Sequence, residues 1–160
     1  MQTHKLLLNV CTTKGLKFMA RTVPQPTQLT VHRQSRDLEI AFDDGAVFRL
    51  AFELLRVYSP SAEVRGHGPG QETLQTGKRD VMINQLESVG NYAVQPTFSD
   101  GHDTGIFTWE YLYFLGSEQQ RLWSDYLERL AATNVDRDAS MATVEASSSG
   151  GCGHGAHHGH

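Results

Sequence analysis

The chain has 160 residues, with 14 basic and 18 acidic side chains and a formal net charge of −4. That length suits one domain with polar ends. The mixed, mildly acidic charge leaves no footprint for nucleic acid or an anionic membrane surface, and no apolar run approaches the roughly 20 residues that span a bilayer.

Residues 1–22 read as a flexible N-terminal extension. Its apolar core, Leu6-Leu7-Leu8, is too short for a secretion signal, and Met19 offers an alternative start. The two cysteines, Cys11 and Cys152, lie near opposite ends. This argues against a disulfide framework and for a reducing, cytoplasmic setting.

The folded domain is expected over residues 23–132. "RTVPQPTQ" (Arg21 to Gln28) is an extended lead-in, because proline fixes φ and lacks a donor. "LTVHR" and "LEIAFDDGAVFRL" alternate with period two, and Asp44-Gly45 supplies a turn. They predict a hairpin of Leu38 to Phe42 against Val47 to Leu50. "AFELLRVYSP" is a short helical piece stopped before Pro60. "SAEVRGHGPGQETLQTGKRD" is a polar, glycine-rich loop of a length that is usually functional or mobile. "VMINQLESVGNYAVQPTFSDGHDTGIFTW" returns to strands, with a turn at Gly90-Asn91.

Two helices are expected to close the domain. The first runs from Trp109 to Leu115, with Thr108 as N-cap and Gly116 as its stop. The second begins at Ser117 with Gln120 three residues on, a capping-box pattern. Its stripe of Leu122, Trp123, Tyr126, Leu127 and Leu130 has helical spacing and belongs in the core. Residues 133–160 turn small and polar and read as a disordered Ser/Gly/His-rich tail. The fold class is therefore α+β: small antiparallel sheets, a C-terminal helix and a disordered tail.

The sequence also echoes itself. "FDDGAVFRLAFELL" (Phe42 to Leu55) aligns with "FSDGHDTGIFTWEYL" (Phe98 to Leu112). Phe42 lies over Phe98, Gly45 over Gly101, Phe52 over Trp109, Glu53 over Glu110 and Leu55 over Leu112. Both copies spell strand, Asp-Gly turn, strand, helix, which predicts two hairpin-helix units in one core.

Turn chemistry accounts for Asp100-Gly101. It does not account for His102, Asp103 or Gly105. Neighbouring His102 and Asp103 point to opposite faces of a strand, so they do not chelate one ion together. The His-x-Asp spacing of a non-haem iron facial triad is absent. A second concentration of ligands ends the chain: Cys152, His154, His157, His158 and His160, spaced by glycine and alanine. Thiol plus imidazole suits a borderline transition metal such as Zn²⁺, Ni²⁺ or copper, with iron a further candidate.

"LEIAFDDG", "LLRVYSPSAEVRGHGPGQ", "GKRDV", "VGNYAV" and "FSDGHDTGIFTWEYLY" together resemble the gamma-butyrobetaine hydroxylase-like N-terminal domain, DUF971, over roughly Pro26 to Leu130. That family occurs as small free-standing bacterial proteins. It also occurs as the N-terminal module of gamma-butyrobetaine and trimethyllysine dioxygenases, and attached to Mrp-type iron–sulfur carrier ATPases. The resemblance implies an α+β fold with small antiparallel sheets. It also implies a structural zinc site of three cysteines after a Leu-Arg motif and one later histidine. The motif falls on Leu55-Arg56, the histidine on His102, and the cysteine positions on Ser59, Ser61 and Val64. Hydroxyls are poor zinc ligands beside thiolates and valine cannot ligate, so the resemblance implies that the zinc site is lost here. His102 is then left to hydrogen-bond Ser59, Ser61 or the loop backbone, with Glu63 and His67 as further neighbours. The alternative is a His67–His102 pair that holds a divalent ion, iron included, together with a carboxylate.

The dioxygenase chemistry of that family needs a separate β-helix domain that this chain is too short to contain. Neither Gly-x-Ser-x-Gly, a phosphate-binding Gly-rich loop nor Cys-x-x-Cys is present. Two functions remain. One is a non-catalytic accessory module that binds a protein partner or delivers metal, with a link to iron–sulfur metabolism resting on family architecture alone. The other is a small enzyme using His102 with Asp103 or Glu110 as acid–base groups.

Overall fold

The structure, a computed structural model, describes residues 4–6, 23–66 and 72–141. The chain folds as α+β. Strands β1 (His4–Leu6), β2 (Pro26–His32), β3 (Asp37–Phe42) and β4 (Val47–Ala51) form one antiparallel sheet in sequence order. Strands β5 (Ile83–Val89), β6 (Ala93–Phe98) and β7 (Phe107–Thr108) form a second. Helices α1 (Phe52–Val57) and α2 (Ala62–Arg65) follow the first sheet, and α3 (Trp109–Ala132) follows the second.

The period-two pattern sets the register. Leu38, Ile40 and Phe42 of β3 are buried, while Asp37, Glu39 and Ala41 between them are only partly so. Leu38 pairs with Leu50 and Ile40 with Phe48. A one-residue slip would turn all three apolar residues to the other face. These strands share one core with Phe52 and Leu55 of α1, Ile83, Phe98 and Phe107 of the second sheet, and Leu112 and Leu115 of α3.

The internal echo is geometric. Gly45 and Gly101 both take left-handed φ, +89° and +87°, which glycine alone adopts cheaply. Each donates its N–H to the carbonyl of the phenylalanine three residues earlier, Phe42 and Phe98, at 3.1 Å. Phe52 and Trp109 each open a helix. Their N–H groups donate to Arg36 and Tyr92 carbonyls at 2.9 and 3.0 Å, just before the unit's first strand.

Four expectations need correction. Part of the N-terminal extension is structured, since β1 pairs with β2 through His4↔Val31 and Leu6↔Leu29. The two closing helices are one helix of 24 residues. Gly116 does not stop it. It is the site where the helix backbone meets the Phe48 ring, and a Cβ there would run into that ring. The Ser117 hydroxyl donates to the carbonyls of Tyr113 and Phe114 (3.0 and 3.1 Å) and does not cap a new helix. Leu127 is exposed, although its neighbours Leu122, Tyr126 and Leu130 are buried.

The fourth concerns the end of the domain. The chain continues past Ala132 as a strap to Met141. Gly77 donates its N–H to the Arg137 carbonyl (2.8 Å), and Thr76 donates its N–H to Met141 Sδ (3.2 Å). The Arg137 guanidinium forks onto the Glu53 carboxylate, with Nε to Oε1 at 2.7 Å, and lies 4.8 Å over the Trp123 ring. Small, polar residues hid this strap because its anchors are far away in sequence.

Candidate functional site

The site gathers where α1 ends and the second Asp-Gly turn folds back. Phe98 donates its N–H to the His102 carbonyl (2.9 Å), and His102 donates its own N–H to Asp100 Oδ1 (3.3 Å). These bonds fix the backbone. The imidazole is buried, 5% exposed, and tilted beside the Phe98 ring.

Both ring nitrogens are engaged. Nε2 lies 2.8 Å from Ser59 Oγ and Nδ1 lies 3.1 Å from Glu63 Oε2. The ionised carboxylate can only accept, so Nδ1 carries the proton and Nε2 accepts from the Ser59 hydroxyl. Burial pushes the imidazole below its usual pKa, and the Arg56 charge adds to this against the opposing pull of Glu63 and Asp100. The neutral ring is therefore the resting form near pH 7.

A second polar cluster adjoins the first through Asp100. Arg56, buried on α1, donates through Nε to Asp100 Oδ2 (2.9 Å) and through Nη1 to Gln75 Oε1 (3.2 Å). Lys78 Nζ reaches the same Asp100 oxygen at 2.7 Å. Burial works to raise the Asp100 pKa, but Lys78, Arg56 and the His102 N–H together hold it below the usual range. The Tyr126 hydroxyl donates to the Gln75 carbonyl (2.8 Å), and burial pushes its pKa up to about 12.

These residues do not fit a zinc ion. Ser59 Oγ already bonds His102. Ser61 Oγ is buried with no partner among the described residues, and Val64 is a buried apolar side chain. One imidazole, two hydroxyls and a valine lack the thiolates that a closed structural site uses. No group of three His, Cys, Asp or Glu side chains is gathered for a metal among the described residues.

Of the residues singled out by sequence, Ser59, Glu63, Asp100 and His102 are brought together. Asp103 and Glu110 are exposed, and neither is a partner of the His102 ring; Asp103 contributes its carbonyl, accepting from Gln95 at 2.5 Å. His67, Cys152, His154, His157, His158 and His160 lie outside the described residues. Sequence reasoning missed Gln75 and Lys78, and it read Arg56 only as half of a motif. The available signal was a charged residue, Arg56, in a short helix that is apolar apart from Glu53 and that buries all six of its residues, so that its guanidinium needs an acceptor.

The architecture is that of a small α+β module, two strand–turn–strand–helix units closing on a Ser–His–Glu chain whose Ser59 and His102 are buried and whose Glu63 is exposed. The gamma-butyrobetaine hydroxylase-like, N-terminal family matches residues 29–113, and the chain belongs to that family. One protein solved by NMR in solution is 51% identical (TM-score 0.64), with 80% of this chain and 96% of its own covered. A second solution structure is 42% identical (TM-score 0.64), covering 73% and 92%. A 1.93 Å crystal structure of a DUF971-family protein of unknown function from Acidithiobacillus ferrooxidans is 45% identical (TM-score 0.50), covering 59% and 94%. No curated protein matches the chain. No described helix is long and apolar enough to cross a membrane.

Proposed function

We propose that this chain is a non-catalytic accessory module that works by binding a protein partner. The observation that carries this reading is that the histidine of its best candidate site is already fully engaged. Nε2 bonds the buried Ser59 hydroxyl and Nδ1 bonds the exposed Glu63 carboxylate, and the Ser59 hydroxyl is packed against Gly105, where a Cβ would collide with it. A histidine so satisfied rigidifies a surface rather than serving a substrate. Metal delivery, in this reading, belongs to the tail ligands Cys152, His154, His157, His158 and His160. The link to iron–sulfur metabolism rests on the family's architectures. Affinity capture of the tagged full chain from its own cell extract, with metal analysis of the eluate, tests the proposal. A reproducible partner supports it; elution of the chain alone in every condition overturns it.

One observation favours a second reading, a small enzyme. Ser59, His102 and Glu63 stand in the order of nucleophile, base and orienting acid, at 2.8 and 3.1 Å. It ranks second because Ser59 is 1% exposed and its N–H is turned to the Arg56 carbonyl at 3.4 Å. A fluorophosphonate probe decides. Labelling that disappears in Ser59→Ala establishes the enzyme, and an unlabelled wild type removes it.

A further inference from the structure

We infer that the partner docks on the face around Arg65 and Tyr111, and that its contact is an extended segment carrying a bulky apolar side chain beside a carboxylate; this rests on the accessory-module reading. Two clefts, of about 620 and 630 Å³, meet there and share Arg65 and Tyr111 as a common wall. Each is of the size that takes a ligand group. The wall between them is braced. The Arg65 guanidinium lies 4.9 Å over the Tyr111 ring, the Tyr111 hydroxyl donates to the Tyr58 carbonyl (2.7 Å), and Tyr111 stacks on Phe114.

The two clefts differ in chemistry. Among the described residues, the first is lined by Arg65 and Arg129 against a single acid, Glu72. Neither arginine is in an ion pair among the described residues, whereas Arg36, Arg49, Arg56, Arg79, Arg121 and Arg137 all are. A guanidinium stacked on an aromatic ring, with no carboxylate of its own, is suited to take one from outside. The second cleft is walled by Pro60, Ile106 and Phe114, the last two 42% and 41% exposed. Glu110 also lines it and disfavours a second acid there. The charge pattern therefore sets the register: the apolar side chain enters the cleft of Ile106 and Phe114, and the carboxylate faces Arg65 and Arg129. Tyrosine, arginine and phenylalanine at one braced point are the residue types that carry binding energy at interfaces.

The test titrates the ¹⁵N-labelled full chain with the peptide Ac-Gly-Phe-Asp-Glu-Gly-NH₂ and with its Phe-Asn-Gln counterpart, followed by NMR. Shifts are expected at Ile106, Tyr111, Phe114 and Arg129. The amide peptide, and Arg65→Gln or Arg129→Gln in the protein, should each bind about tenfold more weakly, the loss of one charge-assisted contact. The unperturbed remainder of each variant's spectrum reports that it is folded. Shifts confined to another face, equal affinity for both peptides, or no shift with either overturns the inference. Partner capture separates this failure from that of the module reading. A partner held equally by wild type and by an Arg65→Glu/Arg129→Glu variant removes this face only, and a wild type that captures nothing removes the reading beneath it.

Discussion

His102 stands in the second Asp-Gly turn where Ala46 stands in the first. Ala46 accepts the Phe42 N–H at 2.8 Å and donates to Asp44 Oδ1 at 2.9 Å; His102 accepts the Phe98 N–H at 2.9 Å and donates to Asp100 Oδ1 at 3.3 Å. The turn is thus built without the imidazole, and the ring is an addition to it. His102→Ala should keep the fold, since alanine already serves at the twin position. It strands the buried Ser59 hydroxyl, at a cost of about 1–3 kcal/mol. Urea denaturation with an unchanged slope and a lower midpoint is the expected result. An unfolded variant would show that the ring, and not the turn, holds this corner.

The direction of the His102 shift fixes a pH dependence. Its folded pKa is depressed, chiefly by burial. Above about pH 6.5 both folded and unfolded chains hold a neutral ring, and its stabilising contribution is fully present. As pH falls below that value the unfolded chain takes up a proton that the folded chain refuses, so stability is lost. The stabilising contribution of Asp100, whose folded pKa lies below its unfolded one, is present above about pH 4 and is lost only at lower pH, as the carboxylate protonates. The urea midpoint should fall between pH 7.5 and 5.5 in the wild type and fall less in His102→Ala. Parallel declines in both would assign the effect elsewhere.

Gly116→Ala tests the helix–sheet contact. Alanine in a helix interior gains about 1 kcal/mol over glycine. Here the new methyl meets the Phe48 ring, and overpacking costs about 1–3 kcal/mol. The net expected outcome is a lower Tm, restored when Phe48 is shortened to leucine in the same chain. A more stable single variant would mean that the ring moves aside freely.

Removal of the strap should be felt. Glu53 is buried, and its carboxylate is held by Arg137. Truncation after Ala132, or Arg137→Ala, leaves that charge unpaired, at a cost of about 1–3 kcal/mol because Arg137 itself is partly exposed. Truncation after Met141 should leave the Tm unchanged. Limited proteolysis adds a check, since a stable core that ends near residue 141 fits this account and one that ends near 132 does not.

The tail carries a separate expectation. Cys152 with His154, His157, His158 and His160 should bind Zn²⁺ or Ni²⁺ reversibly, and more weakly as pH falls through about 6.5 and the imidazoles protonate. Calorimetric titration should give heat with the full chain, less with Cys152→Ala and none with a chain ending at Ser149. Equal heats from the full and shortened chains would place binding elsewhere.

What could be read in advance follows the range of the forces. The Leu38–Phe42 hairpin was legible because alternation and Asp44-Gly45 are local signals. Ser59 and His102 were legible as neighbours only through family resemblance, because nothing local joins the end of α1 to a turn after β6. Gly116 followed by Ser117 and Gln120 carries every local mark of a helix break. The Phe48 ring that makes the glycine necessary comes from another strand. Asp103 was an attractive acid beside His102 in sequence, but adjacent residues on an extended backbone diverge, and Glu63 on α2 supplies the carboxylate instead.

The order of strands in both sheets follows the order of the chain, so almost every ladder is a short-range event. Chains with such local pairing fold quickly, because little loop entropy stands between neighbours. The Arg137–Glu53 clasp joins residues 84 apart. It is the contact that a kinetic experiment should find made late and opened early. In native-state hydrogen exchange, the amides of Thr76 and Gly77 should then exchange through an opening shallower than global unfolding, while the Phe42 and Phe98 amides, bonded inside the two turns, wait for the whole molecule.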